Sequence, residues 1–204
     1  NNTMQPGDVI LALAGEEMDE TVRRIIWDLR LPRAAAAVIL GGALSVSGFL
    51  LQTFFANPIA SPFVLGISSG AKLTVALVMI FMLGQGIVVN SGVMVIAAFA
   101  GSLLSMGFVL LISKRVSSMS ILVVSGVMIG YICSAVTDFA VTFADDSNIV
   151  NLHNWSMGSF SGTSWSNVQV MAVIVLVTTV IVFFMSKPIG AYQLGEVYAQ
   201  NMGV

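Results

Sequence analysis

The chain has 204 residues, 57% of them hydrophobic, and carries 18 formal charges, 8 basic and 10 acidic. A soluble domain carries about 25% charged residues, so 9% cannot cover a water-facing surface, and an ordinary soluble enzyme and a disordered chain are both excluded. A net charge of −2 without a basic patch also excludes nucleic acid as a partner, which leaves an integral membrane protein in contact with lipid.

Ten of the charges (Asp8, Glu16, Glu17, Asp19, Glu20, Arg23, Arg24, Asp28, Arg30, Arg33) lie in residues 1–33, and eight are spread over the rest. A spanning helix needs roughly 20 mostly apolar residues, and five segments qualify in chain order. Ala34–Phe55 is the first, ended by Ala56-Asn57-Pro58 because the residue before a proline avoids helical geometry. Ser61-Pro62 restarts a helix, with proline tolerated in its first turn, and the second span runs from about Phe63 to Leu83. Val93–Ser113 is closed by Lys114-Arg115; Ser120–Val141 and Val168–Met185 follow, the last before Lys187-Pro188. None alternates as barrel strands do. The predicted fold class is all-α, a polytopic transmembrane helical bundle over 34–186, with residues 187–204 as a tail. Gly66/Gly70 and Gly126/Gly130 are GxxxG pairs, which let helix backbones approach closely in lipid.

Cytoplasmic loops carry an excess of Lys and Arg, so Lys114, Arg115 and Lys187 place their segments inside. The intervening loops, 84–91 and 144–167, hold no Lys or Arg but do hold Asp145 and Asp146, and read as outer loops. Five spans then put residues 1–33 outside despite four arginines. That conflict calls for an upstream element, such as a preceding helix, that exports the segment.

Four stretches are more specific than composition. They are Leu29-Arg30-Leu31-Pro32-Arg33; QTFFANPIASPFVLGISSGA over Gln52–Ala71; Asn154-Trp155-Ser156-Met157-Gly158-Ser159; and Leu194-Gly195-Glu196-Val197-Tyr198-Ala199-Gln200-Asn201-Met202-Gly203. In this order and spacing they closely resemble the permease subunits of binding-protein-dependent ABC importers for iron-siderophores, heme and vitamin B12, the transmembrane domain of type II importers. The resemblance runs from about Pro6 to Val204, essentially the whole chain. It implies a permease of about ten spans, of which this chain holds the second to the sixth as an amino-terminal to central fragment. A first helix before Asn1 would carry residues 1–33 outside as a connector, and roughly four spans would follow Val204.

The resemblance also assigns residues. Arg30 and Arg33 flank a rigid Pro32; alone they read either as snorkelling anchors or as fixed cations for carboxylates of a docking protein. The resemblance implies the second, with an extracytoplasmic solute-binding protein as partner. Arg23 and Arg24 read as a solvated face. Asn57-Pro58-Ile59 is either a plain turn or non-helical backbone at membrane depth, tolerated where it is buried or lines a cavity. The resemblance implies a cytoplasmic gate of the translocation path at Asn57 and Ile59, with Met119 and Ser120 at the other gate position. Residues 194–203 alone would pass for an amphipathic surface helix. By resemblance they are the coupling segment that lies in a groove of a cytoplasmic ATP-binding subunit, with Gly195, Glu196, Ala199 and Gly203 at that contact.

Three other signals carry less. Gly66-Ile67-Ser68-Ser69-Gly70 fits GxSxG, but a nucleophile elbow needs a strand-turn-helix context that a membrane span lacks, and the only histidine available as a base is His153 in an outer loop. His153 and the single Cys133 make no metal site, and the twelve methionines are scattered as core filler is. No cofactor is implied. Lys72 departs from the family, where this position is small or apolar; a cation there should face a wet cavity or snorkel. Asp138 falls near the outer end of its span, in interfacial water.

No GxxxxGK followed by Ser or Thr occurs, so this chain does not hydrolyse ATP by that route. The reading is therefore a non-enzymatic permease subunit in the bacterial cytoplasmic (inner) membrane. It would pair with a second permease copy as a homodimer or heterodimer and move a ferric siderophore, the family's commonest cargo, or alternatively heme or cobalamin. The alternatives are an intramembrane serine hydrolase using Ser68 and a non-transporting membrane scaffold.

Overall fold

The structure, a computed structural model, describes residues 20–87, 90–116, 118–144 and 146–203. Residues 1–19 of the connector and Asp145 lie outside the described residues, as do the side chains of Asp146 and Glu196. The described residues are mostly helical, with no strand among them: α1 Glu20–Phe54, α2 Ile67–Gly84, α3 Ser91–Ser113, α4 Met119–Thr142, α5 Asp146–Met157, α6 Trp165–Phe184, α7 Ser186–Gln193 and α8 Glu196–Asn201. The all-α expectation is borne out. By length and composition α1, α3, α4 and α6 can each cross a membrane, whereas the apolar stretch of α2, Ile67–Met82, is shorter. At 1.5 Å per residue that stretch covers about 24 Å of a hydrocarbon layer about 30 Å thick.

Three boundaries differ from the sequence reading, each for a local reason. The first span does not begin at Ala34, because α1 is already helical from Glu20. Proline inside a helix lacks its N–H and its ring clashes with the carbonyl four residues back. Here the turn before Pro32 widens into a π-helical segment, Ile25–Arg30, with the Leu31 N–H donating to Ile26 O. The helix thus accommodates Pro32 without stopping.

The second difference is at Ser61-Pro62, which opens only a single turn. Ser61 Oγ accepts from Val64 N at 3.3 Å and Ser61 O from Leu65 N at 3.0 Å. Gly66, with φ 71°, then breaks the turn, and α2 begins at Ile67. Third, the stretch read as an outer loop, 144–167, contains helix α5. Its polar composition hides a short apolar edge, of which Leu152 is buried and Trp155 packs beside it.

The described chain forms two compact units, one holding α1 to Val46 with Ser159–Ser186, the other Ser47–Gly158 with Lys187–Val204. In the first, hydrogen bonds with α6 and the turn before it hold the first half of α1. Arg33 Nη2 donates to Ser161 O at 2.8 Å, and the Trp165 indole donates to Trp27 O at 2.8 Å. Ser164 caps α6.

In the second unit α2 packs on α3, α4 and α5. Glycines set the approach. A Cβ on Gly66 would stand 2.7 Å from Gly130 N and 2.8 Å from Gly126 O; one on Gly70 would meet Ser105 Cβ at 2.6 Å and Gly101 O at 2.7 Å. The two GxxxG pairs are therefore close-approach surfaces, as read from the sequence. With no hydrophobic drive between helices in lipid, hydroxyls add polar contacts across the seams. Ser105 Oγ donates to Gly66 O at 2.9 Å and Thr74 Oγ1 to Ala97 O at 2.7 Å. Apolar cores lie on either side of these seams. Phe55, Ala60, Leu65, Val109, Leu122 and Val123 form one; Val75, Ala76, Met79, Ala97 and Leu152 form the other.

Candidate functional site

The end of α1 builds the first wall of the site. Asn57 N donates to Gln52 O at 3.1 Å and Ala56 N to Thr53 O at 3.2 Å, the paired bonds of a Schellman ending. That ending places its left-handed residue at Ala56, φ 45°, where glycine is the usual occupant. A Cβ in this region costs roughly 1–2 kcal/mol. Beyond it, Asn57 Oδ1 accepts from Ile59 N at 2.9 Å and Asn57 O from Ala60 N at 3.1 Å, so the asparagine closes its own turn. Phe55 and Ala60 are buried at the two ends of this loop, Asn57 is half-buried, and Ile59 is 68% exposed. The loop is anchored at both ends and presents its middle.

The second wall comes from α7. Gln193 Nε2 donates to Thr53 Oγ1 at 3.1 Å, and the Tyr192 ring stacks on Phe54 with centroids 6.2 Å apart and planes 6° from parallel. Phe54 in turn meets the buried Phe55 edge-on at 5.1 Å. Gly195, φ 112°, separates α7 from α8 in a conformation that side-chain-bearing residues rarely adopt. Met119, half-buried at the start of α4, completes the enclosure.

The result is an open cleft of about 530 Å³, with Gln52, Thr53, Asn57, Met119, Tyr192 and Gly195 among its lining residues. Asn57, Met119 and Gly195, taken from three separate motifs, therefore share one site. Ile59, Ser120, Ala199 and Gly203 do not line it: Ser120 is exposed, Ala199 is buried, and Gly203, φ 79°, follows α8; the Glu196 side chain lies outside the described residues. Among the described residues, no lining side chain is charged. Such a wall of amides, aromatic rings and backbone supplies surface and hydrogen bonds rather than an acid, base or nucleophile. Thr53, Phe54, Tyr192 and Gln193 were absent from the sequence-derived site. Their only signal is position, directly before the NP and LGE motifs.

The remaining candidates lie elsewhere. Arg30 is exposed, whereas Arg33 is half-buried, and its Nε is buried without a partner. Ser68 is half-buried near the start of α2 and hydrogen bonds to no histidine or carboxylate among the described residues. His153 is exposed on α5, whose Leu152 packs on α2 around Val75–Met79. Val75 alone is about 10 Å along the helix axis from Ser68. Lys72 is half-buried and makes no ion pair or hydrogen bond among the described residues. Among those residues no three His, Cys, Asp or Glu side chains gather where they could hold a metal ion.

Residues 1–204 match the FecCD transport family. The chain belongs to that family. It is 36% identical over 190 residues to the vitamin B12 import system permease protein BtuC of Klebsiella pneumoniae subsp. pneumoniae, covering 93% of this chain and 56% of that protein. It is 34% identical over 192 residues to BtuC of Escherichia coli, covering 94% and 58%. The FecCD-family chain thus spans a little over half the length of these curated relatives. A solved structure described as an inward-facing conformation of a metal-chelate type ABC transporter shares its fold, with a TM-score of 0.79 at 23% identity over 97% of this chain and 64% of that one. The family expected from the ordered motifs is the family found.

Proposed function

We propose that the chain forms part of the permease subunit of an ABC importer in the bacterial cytoplasmic membrane. Its cargo is a metal chelate or corrinoid, a ferric siderophore or cobalamin. The observation that carries this reading is the cleft in which Asn57 and Met119 meet Gly195. Residues given to the path and to the ATP-binding partner line one cleft, so a displacement of the coupling segment has a short route to the path. The lining is uncharged among the described residues, which suits passage of a large cargo over its surface.

ATP hydrolysis falls to a separate subunit held through residues 194–203, a solute-binding protein delivers cargo outside, and a second permease copy encloses the path. The BtuC relatives are named for vitamin B12 import, which favours cobalamin; a ferric siderophore is the commonest cargo that the resemblance implies. A hydrolase at Ser68 lacks a base within hydrogen-bonding reach among the described residues.

Gly195→Val tests the coupling assignment, since valine cannot adopt φ 112° without strain. Co-purification of the ATP-binding subunit with the permease from its complete reading frame should fall at least tenfold, while the permease still inserts. Undiminished co-purification would contradict the assignment.

A further inference from the structure

We infer that Tyr192 and Gln193 of α7 are positioning residues that latch the coupling segment onto the gate loop through Phe54 and Thr53. This rests on the importer reading above and identifies which contacts transmit the movement. Two independent contacts join the same neighbouring pairs. The Gln193 amide donates to the Thr53 hydroxyl at 3.1 Å, and Tyr192 lies flat on Phe54 at 6.2 Å. The contact continues inward, because Phe54 packs edge-on against Phe55, which is 1% exposed and fixed in the apolar core. It also continues along the backbone, because Thr53 O receives the Ala56 N–H of the strained left-handed ending, and Asn57 follows immediately.

A stacked pair and a directional hydrogen bond resist different motions. Parallel rings slide easily in their plane but resist separation, whereas the amide–hydroxyl bond fixes register. Together they make α7 and the last turn of α1 move as one body. The strained Ala56 ending is then the joint at which the Asn57-Pro58-Ile59 loop turns, since a backbone held in a sparsely populated region persists only while its surroundings over-determine it. A latch of this kind is a physical coupling element only if both ends bias the same movement.

The test places a single cysteine at the gate, Asn57→Cys in a Cys133→Ser background, in the complete permease with its ATP-binding subunit in proteoliposomes. The rate of labelling by a membrane-impermeant maleimide is followed with and without ATP and vanadate. In the parent, nucleotide should change the rate at least fivefold. With Tyr192→Leu, or with Thr53→Val and Gln193→Leu together, that response should fall below twofold while the nucleotide-free rate and ATP hydrolysis persist. Tyr192→Phe, which keeps the stack, should restore the full response. An unchanged response in Tyr192→Leu and in the double variant would overturn the latch. No response in the parent would overturn the gate and coupling reading itself, and the latch with it.

Discussion

Ala56 and Arg30 illustrate how single residues separate backbone strain from recognition in this chain. Ala56 occupies φ 45° at a helix ending that glycine would fill without strain. Relief of roughly 1–2 kcal/mol, less the roughly 0.4–1 kcal/mol of extra chain entropy that glycine loses on folding, leaves a net gain of about 0.5–1 kcal/mol for Ala56→Gly. Thermal unfolding in detergent should show a slightly higher midpoint; a lower one would mean that the alanine methyl packs favourably.

Arg30 and Arg33 were read as an equal pair, and the structure distinguishes them. Arg33 spends a donor on Ser161 O, whereas Arg30 is exposed and available to a carboxylate. Arg30→Glu should therefore weaken solute-binding-protein docking about tenfold in a surface-binding assay and leave insertion intact. Arg33→Ala should loosen the 159–164 turn as well. Equal docking by wild type and Arg30→Glu would remove Arg30 from the interface. Nothing in the structure explains Lys72.

At the scale of elements, composition located the apolar helices, and glycine spacing located their seams. A methyl on Gly66 must fit 2.7 Å from a backbone nitrogen at φ 71°, whereas Gly107 has open space around its Cβ position. Gly66→Ala should cost more than about 3 kcal/mol, as overpacking joined to backbone strain does, and be seen as loss of folded protein on size-exclusion in detergent. Gly107→Ala should be neutral or better, because alanine is the stronger helix former. Similar behaviour of the two would contradict the seam.

What the sequence left illegible has physical causes. The sequence places the start of the first span at Ala34, after the charge of Arg33, because a π-helical widening before Pro32 has no residue signature. Helix α5 was hidden because its contact with α2 buries Leu152 in a run of polar residues. The cleft was legible only in pieces. The NP and LGE motifs named Asn57 and Gly195, but Phe54 and Tyr192 are ordinary aromatics until folding stacks them 6.2 Å apart.

For the whole molecule, the scarcity of charge after Arg33 now has a structural counterpart. Helix α3 exposes Ile96, Phe99, Leu103, Leu104, Phe108 and Leu111, a surface that only hydrocarbon or another apolar helix can cover. Lys114 and Arg115 stand exposed just past its end. The few charges that remain mark helix ends more often than spans.

On the proposed function, the cleft of this FecCD-family chain lets a nucleotide-driven partner move a large cargo across the membrane. The most direct measurement is ATP-driven uptake into proteoliposomes containing the complete permease, its ATP-binding subunit and its solute-binding protein, with a radiolabelled ferric hydroxamate and cyanocobalamin as separate cargoes. The account predicts ATP-dependent accumulation of at least one of them, abolished by Gly195→Val. Accumulation of neither, or accumulation indifferent to ATP, would contradict it.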